Sequence, residues 1–430
     1  MPPRFDVVVL GGGTAGCVLA ARLSEDRGRK VGLVEAGPEY GPYAQGRWPE
    51  DLLDARWLAL ESHCWETARE DRSQLRARVL GGCSAHNACV ILPGTDEDYD
   101  EWGEGWDAAA MTPYLERAER AFGTRVLTWE ELSPWHRAFA EAAGGAAIVH
   151  PVNARGTLRW SAAFAYLDQA RGRENLTILA DTVADRVLFE GDSAVGVATT
   201  HGPLSAQLVV LAAGAYGSPA ILLRSGLSAG EGLVDHVGAG IGWEPTDRLR
   251  EDVARFEAER PIFMAQVTVR GSDDSFIFPA LEPGAEISGA AFAMKPRSRG
   301  SVRLTSRDPG APLEIEHGFL SDHADLDAVV RALEDLRELV ARDPIAGYVA
   351  NEVRPGFDVD LEDYVRENAR GFFHPVATCA IGRVVDREAR VLGYENLYVA
   401  DASIMPTIPR ANTNLSTAAV AERVADLLRS

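Results

Sequence analysis

The segment from Phe5 to Glu35 constrains the fold of this 430-residue chain more than any other. An apolar run, Phe5-Asp-Val-Val-Val-Leu10, enters Gly11-Gly-Gly-Thr-Ala-Gly16. An Ala/Leu-rich stretch then reaches about Ser24, and a second apolar run, Val31-Gly-Leu-Val34, ends in Glu35. Strand, glycine turn, helix, strand and acid is the order that a βαβ dinucleotide site requires. Gly11 permits the tight turn, Gly13 lets backbone approach a pyrophosphate, and Gly16 lets the helix pack closely on the strand. The helix N-terminus then offers free N–H groups and a positive dipole end to phosphate. Glu35 stands where an acid can accept hydrogen bonds from a ribose diol. A purely structural glycine turn explains the glycines but not the two strands and the acid.

Composition narrows the class. The chain carries 43 Lys+Arg against 64 Asp+Glu, a net charge of −21, which argues against nucleic-acid binding. Its only lysines are Lys30 and Lys295, so Schiff-base chemistry with pyridoxal phosphate is a poor fit. The five cysteines, Cys17, Cys64, Cys83, Cys89 and Cys379, have no metal-ligand spacing, so no metal site is expected, and they suit a reducing, cytoplasmic compartment. The N-terminus does not read as a signal peptide, and the most apolar stretch, Leu208–Leu223, is interrupted by Pro219, so no membrane span is expected.

Along the chain, residues 93–149 are charged and Trp-rich with helical spacing, and read as a separate substrate-side region. Strand text returns at Asn175–Ala180, Val183–Phe189 and Leu208–Gly214. Residues 241–320 read as short strands and turns, for example Ile262–Val269 and Ser301–Leu304. Asp325–Arg342 carries the apolar stripe of an amphipathic helix at Leu326, Val329, Val330, Leu333, Leu336 and Val340. Leu397–Ala400 reads as a buried strand and Leu415–Leu428 as a helix after Asn414.

Four separated blocks resemble the glucose–methanol–choline (GMC) flavoprotein oxidoreductases. They are the βαβ unit; Arg78-Val-Leu-Gly-Gly-Cys-Ser-Ala-His-Asn-Ala-Cys89; Gly214–Gly226 with Leu233-Val-Asp-His236; and His374–Gly382 followed by Val399–Pro406 and Asn412-Thr-Asn414. The resemblance implies an α/β fold: a discontinuous Rossmann-like FAD-binding domain (1–92, 150–240, 372–430) with a smaller α+β substrate-binding cap (93–149, 241–371), shortened between about Gly242 and Phe276. It implies FAD against Gly11, Gly13, Thr14, Ala15, Gly16, Glu35, Ala36, Arg78, Gly81, Gly82, Ser84, His86, Asn87, Ala88, Val183, Ala213, Gly214, Asp401, Ala402, Asn412 and Thr413. The Gly81–Cys89 loop is most like that of the choline oxidase branch, which implies a covalent bond from His86 to the flavin.

The activity implied is oxidation of a small-molecule alcohol to an aldehyde or ketone, with electrons passed to oxygen, a quinone or a redox protein. The hydroxyl proton must leave as a hydride moves to flavin N5. A neutral histidine suits proton removal, and His374 falls on the family's base. Asn412, a neutral donor, falls on the position that holds the developing alkoxide. The family also implies an alternative, a lyase of the hydroxynitrile lyase or photodecarboxylase kind. A binding protein that keeps FAD without turnover fits less well, since both His374 and Asn412 are present. His63, His136, His150, His201, His317 and His323 read as surface or packing residues, and His236 as structural. Asp401 has a second reading as a turn or helix-capping carboxylate.

Overall fold

A computed structural model describes residues 3–65, 74–284 and 286–429 of the chain. The first strand, Arg4–Leu10, lies parallel between Val31–Val34 and Leu204–Leu211, with Leu176–Leu179 beyond Val31–Val34. The far edge of Leu204–Leu211 is shared. Its first residues pair antiparallel with Ser193–Thr199, and its last residues pair parallel with Leu397–Val399. Ala184–Glu190 completes a seven-stranded sheet. Its central strands read as unbroken apolar runs because both faces are covered: Val8, Val9, Leu10, Val209, Val210 and Leu211 are fully buried.

Three helices close this layer. Thr14–Leu23 packs beside Thr413–Leu427, and Ala108–Phe122 packs on the latter. Between them lies Glu422, fully buried, which accepts from Arg22 Nε at 2.8 Å and Nη2 at 2.9 Å. A carboxylate out of water is tolerated there because a two-pronged guanidinium satisfies it.

The second core is a seven-stranded antiparallel sheet in the order Val349–Arg354, Val237–Pro245, Glu286–Ala293, Ser275–Glu282, Val267–Arg270 and Ala147–Val149, with Arg370–Gly371 also paired to Val237–Pro245. Helix His323–Val340, capped by the Asp322 side chain, lays Leu326, Val329, Leu333 and Leu336 on it, as the stripe predicted.

Two expectations change. Helix Asp247–Glu257 replaces part of the strand-and-turn text, and only Val267–Arg270 of Ile262–Val269 is strand. That helix buries just Leu249 and Val253, so its apolar signal is thin; Thr246, whose side chain caps it, marks its start. Residues 93–122, expected on the substrate side, instead put Tyr99, Trp102, Trp106, Met111, Leu115 and Phe122 into the first core. No helix among the described residues is long and apolar enough to cross a membrane. No disulfide joins the five cysteines among the described residues.

Phe122 is fully buried and meets the Tyr166 ring edge-on at 5.7 Å. Phe122→Ala is expected to destabilise the nucleotide-sheet core by about 3–5 kcal/mol, read as a fall in the denaturant midpoint. An unchanged midpoint would mean that this helix is not part of that core.

Candidate active site

The glycine turn is built by close approach of backbones. Gly11 has φ +101°, and a Cβ there would stand 2.6 Å from the Ala212 carbonyl oxygen. A Cβ on Gly16 would overlap the Gly11 carbonyl oxygen. The second glycine loop lies on the first: Gly81 N–H donates to Gly12 O at 2.7 Å, and a Cβ on Gly82 would sit 2.6 Å from Gly13 Cα. Gly13 itself differs, since its Cβ would have only Gly82 Cα near it, at 3.9 Å. Gly13 caps helix Thr14–Leu23 with no side-chain bond to the free N–H groups. The space beside Gly13 at that helix end is open, as close approach of a pyrophosphate requires. Thr14 and Ala15 open the helix, and Thr14 Oγ1 donates to Asn414 Oδ1 at 2.7 Å.

Glu35 accepts from Gly12 N–H at 2.7 Å and from Gly37 N–H at 2.8 Å. Burial pushes its carboxyl up to about 7, against the lowering effect of these bonds and of the Arg78 charge. Arg78 Nε donates to the Ala36 carbonyl at 3.1 Å, which locks the second loop to the residue after the acid. Val183 lies one residue beyond Thr182, whose N–H donates to Glu35 O; both backbone groups of Val183 are engaged by Thr200.

Asp401 fulfils its structural reading. Its Oδ2 accepts from Gly214 N–H at 2.9 Å and Ser218 Oγ at 2.5 Å, and its Oδ1 accepts from Ser403 N–H at 2.8 Å, capping the turn Ala402–Ile404. It therefore joins the helix start at Gly214 to the C-terminal segment. Ala213 N–H donates to Ser218 Oγ at 3.0 Å, and Gly214, at φ +77°, has nothing within 4 Å of the place a Cβ would take.

The second loop winds into a single 3₁₀ turn, Gly82–Ala85, ending at His86. Ser84 Oγ donates to Gly81 O at 2.6 Å and accepts from Ala162 N–H at 2.9 Å, fixing the turn. Asn87 Oδ1 accepts from Cys89 N–H, and Ala88 packs against the apolar cluster of Val90, Leu92, Phe276, Phe278, Phe292 and Met294. His86 is buried, and its Nε2 has no hydrogen-bond partner. Burial, with the charge of the nearby buried Arg159, lowers its pKa to about 4, so the ring is neutral at ordinary pH. A neutral imidazole nitrogen left unpaired in the interior fits a site that a further group completes.

His374 and Asn412 meet. Asn412 Nδ2 lies 3.4 Å from His374 Nε2, and Asn412 Oδ1 is buried without a partner. Asn412 stands at the N-cap of helix Thr413–Leu427 but does not cap it with its side chain, so the amide is left for other use. Asp235 Oδ1 accepts from His374 N–H at 2.9 Å and from Phe372 N–H at 3.3 Å, holding the backbone that carries the ring. Burial, then the His236 ring and the Arg76 charge, hold the His374 pKa well below the ordinary imidazole range.

Sequence reasoning set His236 aside, yet its Nδ1 lies 3.0 Å from His374 Nδ1 and its Nε2 lies 3.0 Å from Pro409 O. The only local signal was an Asp-His pair at the start of a buried strand. Asp235, His236 and His374 also bring three ligand-type atoms within 4.8 Å of one another, but the facing histidine nitrogens are spaced as a hydrogen bond. Phe372 sits 4.7 Å from the His374 ring and stacks on Phe292 at 4.2 Å, with Phe276 and Phe278 behind, so the cap sheet presents an aromatic wall beside the histidine. The other histidines pack as read: His136 and His150, for example, are buried in the cap on Pro279 O and Thr268 Oγ1.

Two family models described as GMC oxidoreductase match residues 145–241 and 296–421. A lycopene cyclase model matches residues 6–74, the stretch that holds the first glycine turn. Choline oxidase of Arthrobacter globiformis is 30% identical over 99% of this chain and 94% of its own length. The 5-(hydroxymethyl)furfural oxidase of Methylovorus sp. is also 30% identical, over 99% and 98%. The solved pyridoxine 4-oxidase from Mesorbium loti superposes with a TM-score of 0.85 at 27% identity, covering 98% of each chain. With both glycine loops, the unpaired His86 and the His374–Asn412 pair in place, these matches show that the chain belongs to the GMC oxidoreductases, FAD-dependent enzymes that oxidise alcohols.

Proposed function

We propose that this protein oxidises a small apolar or aromatic alcohol to the carbonyl compound, with His374 as proton acceptor and Asn412 as alkoxide donor. The observation that carries the reading is the 3.4 Å gap between His374 Nε2 and Asn412 Nδ2 beside the Phe372–Phe292 wall. A substrate oxygen entering between the two atoms gives its proton to Nε2 and accepts from Nδ2. When bound, FAD supplies the acceptor for the hydride that leaves the carbinol carbon. The histidine is kept neutral by burial, so it is ready to take a proton, and the amide donor is set before the charge develops. The aromatic wall excludes water from the alkoxide and favours a substrate with a flat aromatic ring, such as the compounds that name the 5-(hydroxymethyl)furfural and pyridoxine oxidases among the relatives. A panel of 5-(hydroxymethyl)furfural, pyridoxine, benzyl alcohol and choline, added without oxygen, tests the substrate class by flavin bleaching. Choline alone bleaching the flavin would contradict the apolar substrate. Admitting air afterwards separates dioxygen from a quinone or redox protein as the electron acceptor.

The cradle residues are proposed to hold FAD, and Gly13 gives the cleanest test. A Cβ there meets no atom beyond its chain neighbours closer than 3.9 Å, so Gly13→Val is expected to keep the fold while filling the pyrophosphate approach. The variant should purify colourless with an unchanged circular dichroism spectrum. A yellow Gly13→Val protein would move the nucleotide elsewhere.

His86 is proposed to be bonded to the flavin through Nε2, its unpaired atom. Acid precipitation should leave the yellow colour in the pellet, and in His86→Ala all of it should move to the supernatant. Colour freed from the parent protein would rule the bond out.

His374→Ala is expected to slow anaerobic flavin reduction by roughly 10²–10⁴-fold. Asn412→Ala should cost roughly 10²–10³-fold, with reoxidation unaffected in both. The neutral ring is the active form and its pKa is depressed, so the reduction rate should stay flat through neutral pH. It should fall only on acidification well below the usual imidazole value of ~6.5. A fall centred at ~6.5 would show a solvated base.

A further inference from the structure

We infer that His236 is a positioning residue that sets the proton of His374 on Nδ1 and so leaves Nε2 as the free base; this rests on His374 being the base. The Pro409 carbonyl oxygen can only accept, and it receives Ala411 N–H at 2.8 Å and His236 Nε2 at 3.0 Å. His236 must therefore carry its proton on Nε2, which makes its Nδ1 a lone pair. That lone pair faces His374 Nδ1 at 3.0 Å, and the contact is a hydrogen bond only when His374 donates. The His374 proton is then on Nδ1, and the lone pair on Nε2 points at Asn412 Nδ2. Turning the Asn412 amide over and moving the His374 proton to Nε2 would set two lone pairs against each other at 3.0 Å. Doubly protonated rings are disfavoured by burial, which pulls His236 down to about 3 and His374 well below its ordinary value.

The relay has a second effect. When His374 takes the hydroxyl proton on Nε2, its Nδ1–H still points at the His236 lone pair, so the new imidazolium is met by an acceptor. No bond is broken beyond the substrate O–H. The charged and titratable groups around the pair are Asp235, which holds the His374 backbone, Arg76, whose charge opposes the imidazolium, and Asp98 and Lys295, which act oppositely on His236. The Pro409 carbonyl is itself held from the far side. Arg410 N–H donates to Asp98 Oδ2 at 2.9 Å, Arg410 Nη1 to Asp98 Oδ1 at 2.6 Å, and Lys295 Nζ to Ile408 O at 2.9 Å.

The test uses the flavin-loaded protein. With ¹⁵N-labelled histidine, assigned by loss of signals in His374→Ala, His374 should show a protonated Nδ1 and an unprotonated Nε2. A protonated Nε2 overturns the inference whether or not any alcohol is oxidised. Kinetically, His236→Leu removes the acceptor and should slow anaerobic flavin reduction by roughly 10–100-fold. That is less than loss of the base itself, since only its tautomer and its partner are lost. The substrate concentration for half-saturation and the flavin content should not move. His236→Asn keeps an amide oxygen near the Nδ1 position and should recover most of the rate. Equal losses in both variants at full flavin content, or a parental rate in His236→Leu, would overturn the assignment. If no alcohol reduces the parent flavin, the proposed activity falls while the tautomer measurement still decides the relay.

Discussion

Contact between two backbones, at Gly12–Gly13 and at Gly81–Gly82, is the constraint on which the site depends. Gly81 N–H reaches Gly12 O at 2.7 Å, and the two loops come this close because Gly82 carries no Cβ, which would stand 2.6 Å from Gly13 Cα. That contact holds the loop ending at His86 against the glycine turn that opens helix Thr14–Leu23. A side chain at Gly82 would push the loop off and move His86 with it, so the glycine turn and the proposed attachment residue share one steric condition. Asp401 sets a similar condition on the other side, tying the helix start at Gly214 to the segment that leads to Asn412.

Local pattern made the nucleotide half legible. The strand from Phe5, the glycine turn, the helix and the strand before Glu35 all stand as read, because each is decided by residues a few positions apart. Residues 93–122 misled because Trp102 and Trp106 sit in acidic text, and text alone does not say which core a tryptophan enters; it is Arg387 O and Thr407 O, distant in sequence, that receive their indole N–H groups. His374 and Asn412 were legible through the resemblance to a family. His236 was not, since its significance depends on a carbonyl 173 residues away and on which of two ring nitrogens faces it.

The electrostatics of the site follow from dryness. Glu35, Asp235 and Asp401 are raised by burial, while His86, His236 and His374 are lowered by it. Each shift favours the uncharged form, so the buried histidines are neutral and their hydrogen bonds are set by tautomer and backbone instead. Such a site orders itself by donor and acceptor matching.

The first sheet also has a consequence for synthesis. Its strand Arg4–Leu10 emerges first, but Leu397–Val399, the helix Thr413–Leu427 that carries Glu422, and Asn414, the partner of Thr14, come about four hundred residues later. At ~5–20 residues per second the ribosome needs roughly 20–80 s to deliver them. Over that interval the cap sheet, whose strands all lie between residues 147 and 371, can fold as a unit. The nucleotide sheet and its helix layer therefore cannot be completed until Leu397–Val399 and Thr413–Leu427 have emerged, after every strand of the cap sheet.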